Sequence, residues 1–358
     1  MSLLFTPHTI RSVTFKHRIV ISPMCQYSSD DGYANDWHLV HLGSRAVGGA
    51  ALVMQEATAI SPEGRITASD LGIWKDEHME KLQQIVQFIH RENTLAGIQL
   101  AHAGRKASCA VPWKGGKPIQ PGQPGGWETV APSPIPFYPA GPAIPTPAEL
   151  DITGIEKIKD DFRMAARRAK ETGYDVLEIH AAHGYLLHQF YSPLSNQRTD
   201  SYGGSFGHRV RLLLDIVDIV RKEWGEDKPV FVRISATEWT EGGWDIDDSI
   251  RLTALLKERG IDLIDTSSGG NIAKASIPVG PGYQVTFAAQ IKRATGISTG
   301  AVGLITTPQQ AADILAAGDA DLIFIARESL RNPYFPLTAA AALTDDIAWP
   351  VQYERAKP

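Results

Sequence analysis

Residues 321–325 have the sequence Asp-Leu-Ile-Phe-Ile, an apolar run that is followed at once by Ala326 and Arg327. Consecutive apolar residues are typical of a parallel strand that is buried on both faces. Seven comparable runs precede it, and stretches with helical periodicity separate them. The eight predicted strands are Arg18–Pro23, Ala51–Ala57, Gly97–Ala101, Asp175–His180, Pro229–Ser235, Asp262–Thr266, Ile297–Gly300 and Asp321–Ile325.

Strands that alternate with helices pair in parallel through right-handed crossovers. A Gly-x-Gly-x-x-Gly string, the fingerprint of an open dinucleotide-binding sheet, does not follow the first strand. We therefore predict an α/β fold, a (β/α)8 TIM barrel that occupies residues 1–358 as a single domain. The residues before Arg18 are expected to form a hairpin that closes the bottom of the barrel.

Composition narrows the class of protein. The chain has 35 Lys and Arg against 40 Asp and Glu, a net charge of −5, which disfavours nucleic acid as a partner. A run of 18 apolar residues and a signal-peptide pattern are both missing, so we expect a cytoplasmic protein with no membrane partner. Two cysteines are too few for a disulfide framework or an iron–sulfur cluster.

Residues 112–147 break the alternation, because they contain eleven of the 23 prolines. So much proline predicts a long loop after the third strand. In a barrel, that loop emerges at the C-terminal ends of the strands, where the active sites of this fold lie. It is either a lid-like excursion over a site or a surface excursion without a role.

Candidate catalytic residues follow the fourth strand. The imidazoles of His180 and His183 could donate hydrogen bonds to an oxygen that becomes negative, and the phenol of Tyr185 could protonate a carbon. With His188, the two histidines could also bind a metal ion, as in a metal-dependent hydrolase.

Small residues and one arginine follow the last two strands, where barrels of this type recurrently bind phosphate. Their backbone N–H groups can approach an anion, and a guanidinium adds a charged fork. The predicted phosphate-binding residues are Gly300, Ala301, Gly303, Ala326 and Arg327.

Several longer motifs occur in a fixed order along nearly the whole chain. They are Ser22–Tyr27, Gly72–Trp74, Gly97–Lys106, His180–Tyr185, Ser195–Ser205 and Val351–Arg355. With these motifs the sequence resembles the old yellow enzyme family of FMN-dependent ene-reductases, and most closely its bacterial thermophilic-like and xenobiotic reductase subclass. The resemblance implies bound FMN, NADPH or NADH as hydride donor, and reduction of activated C=C bonds in α,β-unsaturated carbonyl compounds or of nitro compounds.

The resemblance also implies residue roles. The expected flavin-binding residues besides the phosphate loops are Ser22, Pro23, Met24, Cys25, Ala57, Gln99 and Arg233. Among them, Gln99 would hydrogen-bond the pyrimidine edge, Arg233 would lie near N1, and Cys25 would lie near N5. Tyr27, His180 and His183 would hold the substrate carbonyl, and Tyr185 would donate the proton.

Residues 344–358 resemble a tail that reaches the active site of a neighbouring subunit, where Arg355 would contact substrate. This implies a homodimer or homotetramer with exchanged tails. The sequence departs from the family where Ala326 replaces a glycine and where the aromatic residue after Arg355 is missing. The alternatives are a metal-dependent hydrolase using His180 and His183, a dihydrouridine synthase, and a barrel that only binds a ligand.

Overall fold

The computed structural model describes residues 2–138 and 144–358, and eight parallel strands in it close into a barrel. An antiparallel hairpin comes first, and a small parallel two-stranded sheet interrupts the barrel strands along the chain. The hairpin is β1 (His8–Ile10) and β2 (Val13–Phe15), and the small sheet is β6 (Val130–Ala131) and β7 (Ala148–Glu149). The barrel strands are β3 (Ile19–Ile21), β4 (Leu52–Ala59), β5 (Leu95–Ala101), β8 (Val176–Ala181), β9 (Val230–Ser235), β10 (Leu263–Ser267), β11 (Ser298–Ala301) and β12 (Leu322–Ile325).

The barrel strands pair with their neighbours in chain order, and β12 pairs with β3 to close the ring. Each strand corresponds to one strand predicted from the sequence, with ends that differ by at most two residues. The (β/α)8 prediction is therefore confirmed.

Helices cover the outside of the barrel. They are α1 (Asp36–Val47), α2 (Met79–Arg91), α3 (Ile152–Thr172), α4 (Leu186–Tyr191), α5 (Phe206–Arg209), α6 (Arg211–Trp224), α7 (Ile246–Glu258), α8 (Val285–Thr295), α9 (Pro308–Ala316), α10 (Arg327–Arg331) and α11 (Phe335–Ala342). Local chemistry sets their ends, as α3 illustrates. The Asp151 carboxylate accepts the Gly154 N–H at 2.7 Å, and Gly173 ends the helix with φ 101°, a value that favours glycine.

The N-terminal hairpin closes the bottom of the barrel, as predicted. Its apolar residues Ile10, Val13 and Phe15 pack against side chains from the barrel interior. The ring of Phe15 stacks on that of Phe231, with centroids 6.3 Å apart. Burying one such side chain contributes about 1.5–3 kcal/mol. This packing covers the lower end of the barrel interior with apolar side chains.

The proline-rich loop runs over the C-terminal ends of the strands. Its Phe137 and Tyr138 border a cavity of about 150 Å³ together with Tyr27 and Lys106. Residues 139–143 of the predicted 112–147 loop lie outside the described residues. A lid function for the loop stays a prediction.

The C-terminal tail lies at the opposite end of its own barrel. Residues 346–352 border a cavity of about 590 Å³ with His17 and Glu92, which belong to the N-terminal end of the strands. Arg355 is exposed to solvent. Tail exchange between subunits stays a prediction. In the described parts of the chain, none of the helices is long and apolar enough to cross a membrane.

Candidate active site

The C-terminal ends of the barrel strands surround a cavity of about 180 Å³. Ser22, Arg233 and His183 border its inner part, whereas Gly303 and Arg327 border its outer part. Polar residues from separate strands therefore meet at this rim. The physical reason is that parallel strands all end at the same side of the barrel.

His180, His183 and Tyr185 form a compact cluster beside this cavity. The ring of His180 contacts the other two edge-to-face, with centroid distances of 5.2 Å to His183 and 5.0 Å to Tyr185. His180 is the last but one residue of β8, and the other two lie on the turn before α4. The turn is tight, because a Cβ on Gly184 would meet the Gly270 backbone oxygen at 2.3 Å.

Burial keeps all three groups uncharged near neutral pH. Desolvation, reinforced by the Arg233 charge, holds the pKa of both histidines well below the ordinary value of 6.5. Because His180 Nδ1 accepts the Ala182 N–H at 3.3 Å, the proton of its neutral ring resides on Nε2, which can donate. Burial likewise raises the pKa of Tyr185, so the phenol stays protonated.

A charged lysine that the sequence reasoning did not select supports this turn. Lys106 Nζ donates to the backbone oxygens of His183, at 2.8 Å, and Gly270, at 2.9 Å. It also lies 5.1 Å from the centroid of the Tyr185 ring. Burial lowers the pKa of Lys106 to about 8. The ammonium group therefore places a positive charge beside the phenol at neutral pH.

Tyr27 and Cys25 lie on the turn after β3. Tyr27 has φ 49°, and burial raises the pKa of the neighbouring Cys25 thiol. The Glu56 carboxylate fixes this strained turn by accepting the Gln26 N–H at 2.6 Å. Ala57 follows on β4 and borders a small cavity with Tyr185. Tyr27 borders a separate cavity with Phe137 and Tyr138, so the predicted substrate residues Tyr27 and Tyr185 line two different cavities.

Arg233 lies inside the barrel at the inner end of the cavity. Its Nη2 donates to Ser22 Oγ at 2.7 Å, and its Nε donates to Asp265 Oδ2 at 2.6 Å. Gln99 lies in the same layer, where its amide donates to Glu178 Oε1 at 2.7 Å. The structure brings the predicted Ser22, Gln99 and Arg233 together, and it adds two buried carboxyl groups that were not predicted.

The predicted phosphate residues divide into two groups. Gly303, Ala326 and Arg327 border the cavity, as Pro23 does. The expectation that Gly300 and Ala301 belong to the loop is wrong, because both are residues of β11. Gly300 instead makes room for a neighbour, since a Cβ there would lie 2.3 Å from the Phe324 ring.

The cavity fits FMN, the cofactor that the sequence resemblance implies. Its inner end offers the Arg233 guanidinium to a polar ring edge, and its outer end offers Arg327 to a phosphate. Within the described parts of the chain, Arg327 forms no ion pair, so its charge remains available to an anion. Met24 is half-buried in the turn between these ends.

His188, the third histidine of the possible metal motif, does not point to a shared metal. Its Nδ1 accepts the Gly184 N–H at 3.0 Å, and its Nε2 contacts Glu238 Oε1 at 3.0 Å. Both ring nitrogens are therefore occupied. Across residues 2–138 and 144–358, no group of three or more His, Cys, Asp or Glu side chains could hold a metal ion.

Two of the site residues that were not predicted from the sequence have a recognisable sequence signal. Glu178 and Asp265 are charged positions inside strands that are buried on both faces, which is unusual without a partner. Glu238 and Asn271 have a weaker sequence signal, because they lie in loops. Only the fold brings Glu238 to His188 and Asn271 to Glu238. Asn271 Nδ2 donates to Glu238 Oε1 at 2.6 Å.

Comparisons with known proteins agree with this geometry. The model of the NADH:flavin oxidoreductase / NADH oxidase family matches residues 3–346. An NADPH dehydrogenase of Geobacillus sp. (strain WCH70) is 48% identical over 356 residues, which is 99% of this chain and 98% of that protein. Morphinone reductase has a similar structure, with a TM-score of 0.80 and 28% identity over 97% of this chain and 91% of its own. The old yellow enzyme homologue from Zymomonas mobilis has a TM-score of 0.77 and 26% identity, over 97% of this chain and 94% of its own.

The buried carboxylate behind the turn generates a pH-dependent prediction. Burial opposes ionisation of Glu238, but hydrogen bonds from His188 and the Trp244 N–H outweigh it and lower the pKa from 4.5 to about 2. A carboxyl group with a lowered pKa stabilises the fold above its unfolded pKa, and this stability is lost as the pH falls toward 2. Glu238→Gln should therefore cost about 1.5–3 kcal/mol at pH 7, the value of hydrogen bonds to a charged group. Urea unfolding at pH 7 and pH 3.5 should show the deficit shrinking at the lower pH, and an equal deficit at both would contradict the assignment.

Proposed function

This chain belongs to the NADH:flavin oxidoreductase / NADH oxidase family, that of the old yellow enzymes, and from that premise we propose that it reduces activated C=C bonds. It is a flavin-dependent oxidoreductase that uses FMN and a nicotinamide cofactor. The proposed substrates are small α,β-unsaturated carbonyl compounds. The observation that supports them best is the pair of neutral imidazoles, which lies beside one phenol next to the Arg233 cavity.

In the proposed mechanism, the histidines hold the oxygen of the substrate. A neutral imidazole donates a hydrogen bond that strengthens as negative charge develops on the carbonyl oxygen. The Nε2–H of His180 has no acceptor within the described parts of the chain, which leaves it free for this task. His183 is oriented by Ser267, whose Oγ lies 2.7 Å from its Nε2. Tyr27 would complete the binding site from the opposite turn.

Tyr185 is the proposed proton donor. Bound FMN would supply the hydride chemistry that links NADPH or NADH to the β-carbon of the alkene. The phenol of Tyr185 gives its proton to the α-carbon, and the Lys106 ammonium, 5.1 Å from the ring, stabilises the phenolate that remains.

The remaining residues are proposed to bind FMN. Ser22, Pro23, Met24, Cys25 and Ala57 would border the ring system, and Gln99 and Arg233 would contact its pyrimidine edge. Gly303, Ala326 and Arg327 would hold the phosphate. Gly300 and Ala301 would support that loop from within β11. The alternatives are not favoured, since the relatives are flavin oxidoreductases and His188 is occupied by Glu238.

The first test of this function is direct. The purified protein should be yellow and should release about one FMN per chain on denaturation. It should oxidise NADPH in the presence of an enone such as cyclohexenone, and the product should be the saturated ketone. A colourless protein that FMN cannot reconstitute would contradict the proposal. Stoichiometric zinc or iron, with activity that is lost on chelation, would favour the hydrolase.

The role of Tyr185 can be tested by measuring the two half-reactions separately. Tyr185→Phe should slow reoxidation of the reduced flavin by enone ~10²–10⁴-fold, the usual cost of losing a general acid. Reduction of the flavin by NADPH should change little, because that step needs no proton from the phenol. Stopped-flow absorbance measures both steps. Tyr202→Phe, which removes a phenol from the outside of the barrel, is the matched control and should leave both rates unchanged.

We further propose a homodimer or homotetramer in which residues 344–358 reach a neighbouring subunit. In its own barrel this tail lies at the N-terminal end, so Arg355 can contact substrate only in another subunit. A guanidinium at the mouth of a flavin site would favour ligands with anionic groups. In a two-fold dimer the exchange would be reciprocal.

The tail proposal predicts a kinetic effect without loss of cofactor. Arg355→Ala should raise the KM for enone by roughly tenfold, the equivalent of 1.4 kcal/mol of binding, while FMN stays bound. Lys357→Ala is the matched control, because it removes another tail cation and its contact with Asp346. It should leave the KM for enone unchanged. A monomer in solution with full activity would refute the exchange.

A further inference from the structure

Two carboxyl groups and one guanidinium share the interior of the barrel beneath the cavity. Glu178, Arg233 and Asp265 come from the adjacent strands β8, β9 and β10, and both carboxyl groups are 0% exposed. Arg233 Nε donates to Asp265 Oδ2 at 2.6 Å and lies 3.8 Å from Glu178 Oε1. The guanidinium thus neutralises one of two neighbouring acids.

The outer oxygens of the two acids, Glu178 Oε2 and Asp265 Oδ1, are buried and meet no N–H or O–H donor from another described residue. Both carboxyl groups lie against the same guanidinium, so they are close neighbours of each other. Two carboxylates in contact repel each other unless a proton lies between them. Burial raises the pKa of both groups, and the neighbouring Asp265 raises that of Glu178 further, whereas Arg233 and Glu178 partly offset the effect of burial on Asp265. With one shared proton, the three groups together carry no net charge.

Among the described residues, the immediate surroundings of the pair add no other fixed charge. Gln99 from β5 donates to Glu178, and Gly300 from β11 lies beside Asp265 in the strand register. Phe324 from β12 fills the space next to Gly300. The titratable groups that interact with Arg233 from above are Cys25, His180 and His183, and burial keeps them neutral.

We propose that Glu178 and Asp265 are positioning residues that hold one proton beside Arg233 and take up a second proton when the bound flavin is reduced. The inference rests on the proposed position of FMN, with its pyrimidine edge at Arg233. Two-electron reduction places a negative charge on that edge. Arg233 would then face two negative charges, that of the flavin and that of the acid pair. A second proton on the pair removes this imbalance, since an uncompensated charge in a buried site is costly.

The proton balance closes over one catalytic cycle. The electron pair comes from NADPH, and the second proton comes from solvent through the cavity that Ser22 and Arg233 border. It binds to Glu178 Oε2 or Asp265 Oδ1. When the alkene oxidises the flavin, that proton returns to solvent, and Tyr185 regains from solvent the proton that it gave to the α-carbon. The pair therefore consumes nothing and acts only on the stability of the reduced cofactor.

The test is the pH dependence of the flavin midpoint potential in the holoenzyme, measured by spectroelectrochemistry between pH 7 and 8.5. Each proton taken up with two electrons contributes about 29.6 mV per pH unit. One proton on the flavin and one on the acid pair should give about 59 mV per pH unit in the wild type. Glu178→Gln and Asp265→Asn, which each abolish the pair, should give about 30 mV. Asp262→Asn is the matched control, because it removes a carboxylate paired with Arg221 at the other end of β10, and it should keep the wild-type slope.

A slope of about 30 mV per pH unit in the wild type, or of about 59 mV in both variants, would overturn the proposal. If neither variant binds FMN, the number of protons that the wild type takes up on photoreduction is measured in weak buffer instead. Uptake of two protons, with an ultraviolet spectrum typical of a flavin reduced but unprotonated at N1, supports the pair, and uptake of one refutes it. Flavin content is measured separately. A protein without FMN would refute the proposed function itself. A yellow protein with the wrong slope would refute only this inference.

Discussion

Closure of eight parallel strands into one barrel is the constraint on which the site depends. It brings the last residues of every strand to a single rim, although they are far apart in sequence. Ser22, His180 and Arg233 meet there because each follows or ends a strand. The hairpin around Phe15 closes the other end of the barrel.

The low dielectric of the interior then decides which groups carry charge. His180 and His183 remain neutral because burial and the Arg233 charge both oppose protonation. A neutral imidazole can donate a hydrogen bond to a developing oxyanion without first binding an anion strongly. Arg233, in contrast, is held charged by Asp265 and Glu178. The same burial therefore produces neutral donors at the rim and a fixed charge one layer below.

A second network fixes the turn that holds His183 and Tyr185. Glu238 accepts from Asn271 and contacts His188, which in turn accepts the Gly184 N–H. Arg105 extends this network to the proline-rich loop, because its guanidinium donates to both Asn271 and the Ile135 oxygen. The turn that holds His183 and Tyr185 is thus tied to two further loops, which explains how residues without contact to substrate can affect its geometry.

The sequence alone determined the barrel, because strands buried on both faces leave consecutive apolar runs such as residues 321–325, and eight of them alternate with helices. It also indicated the rim residues that follow those runs, including His180, Tyr185 and Arg327. Only the tertiary structure decided which side chains meet across strands. It moved Gly300 and Ala301 from the loop into β11, assigned His188 to Glu238, and joined Glu178 to Asp265 around Arg233. Such contacts depend on strand register and on the direction of each side chain within the closed barrel, and a local pattern of residue types contains neither.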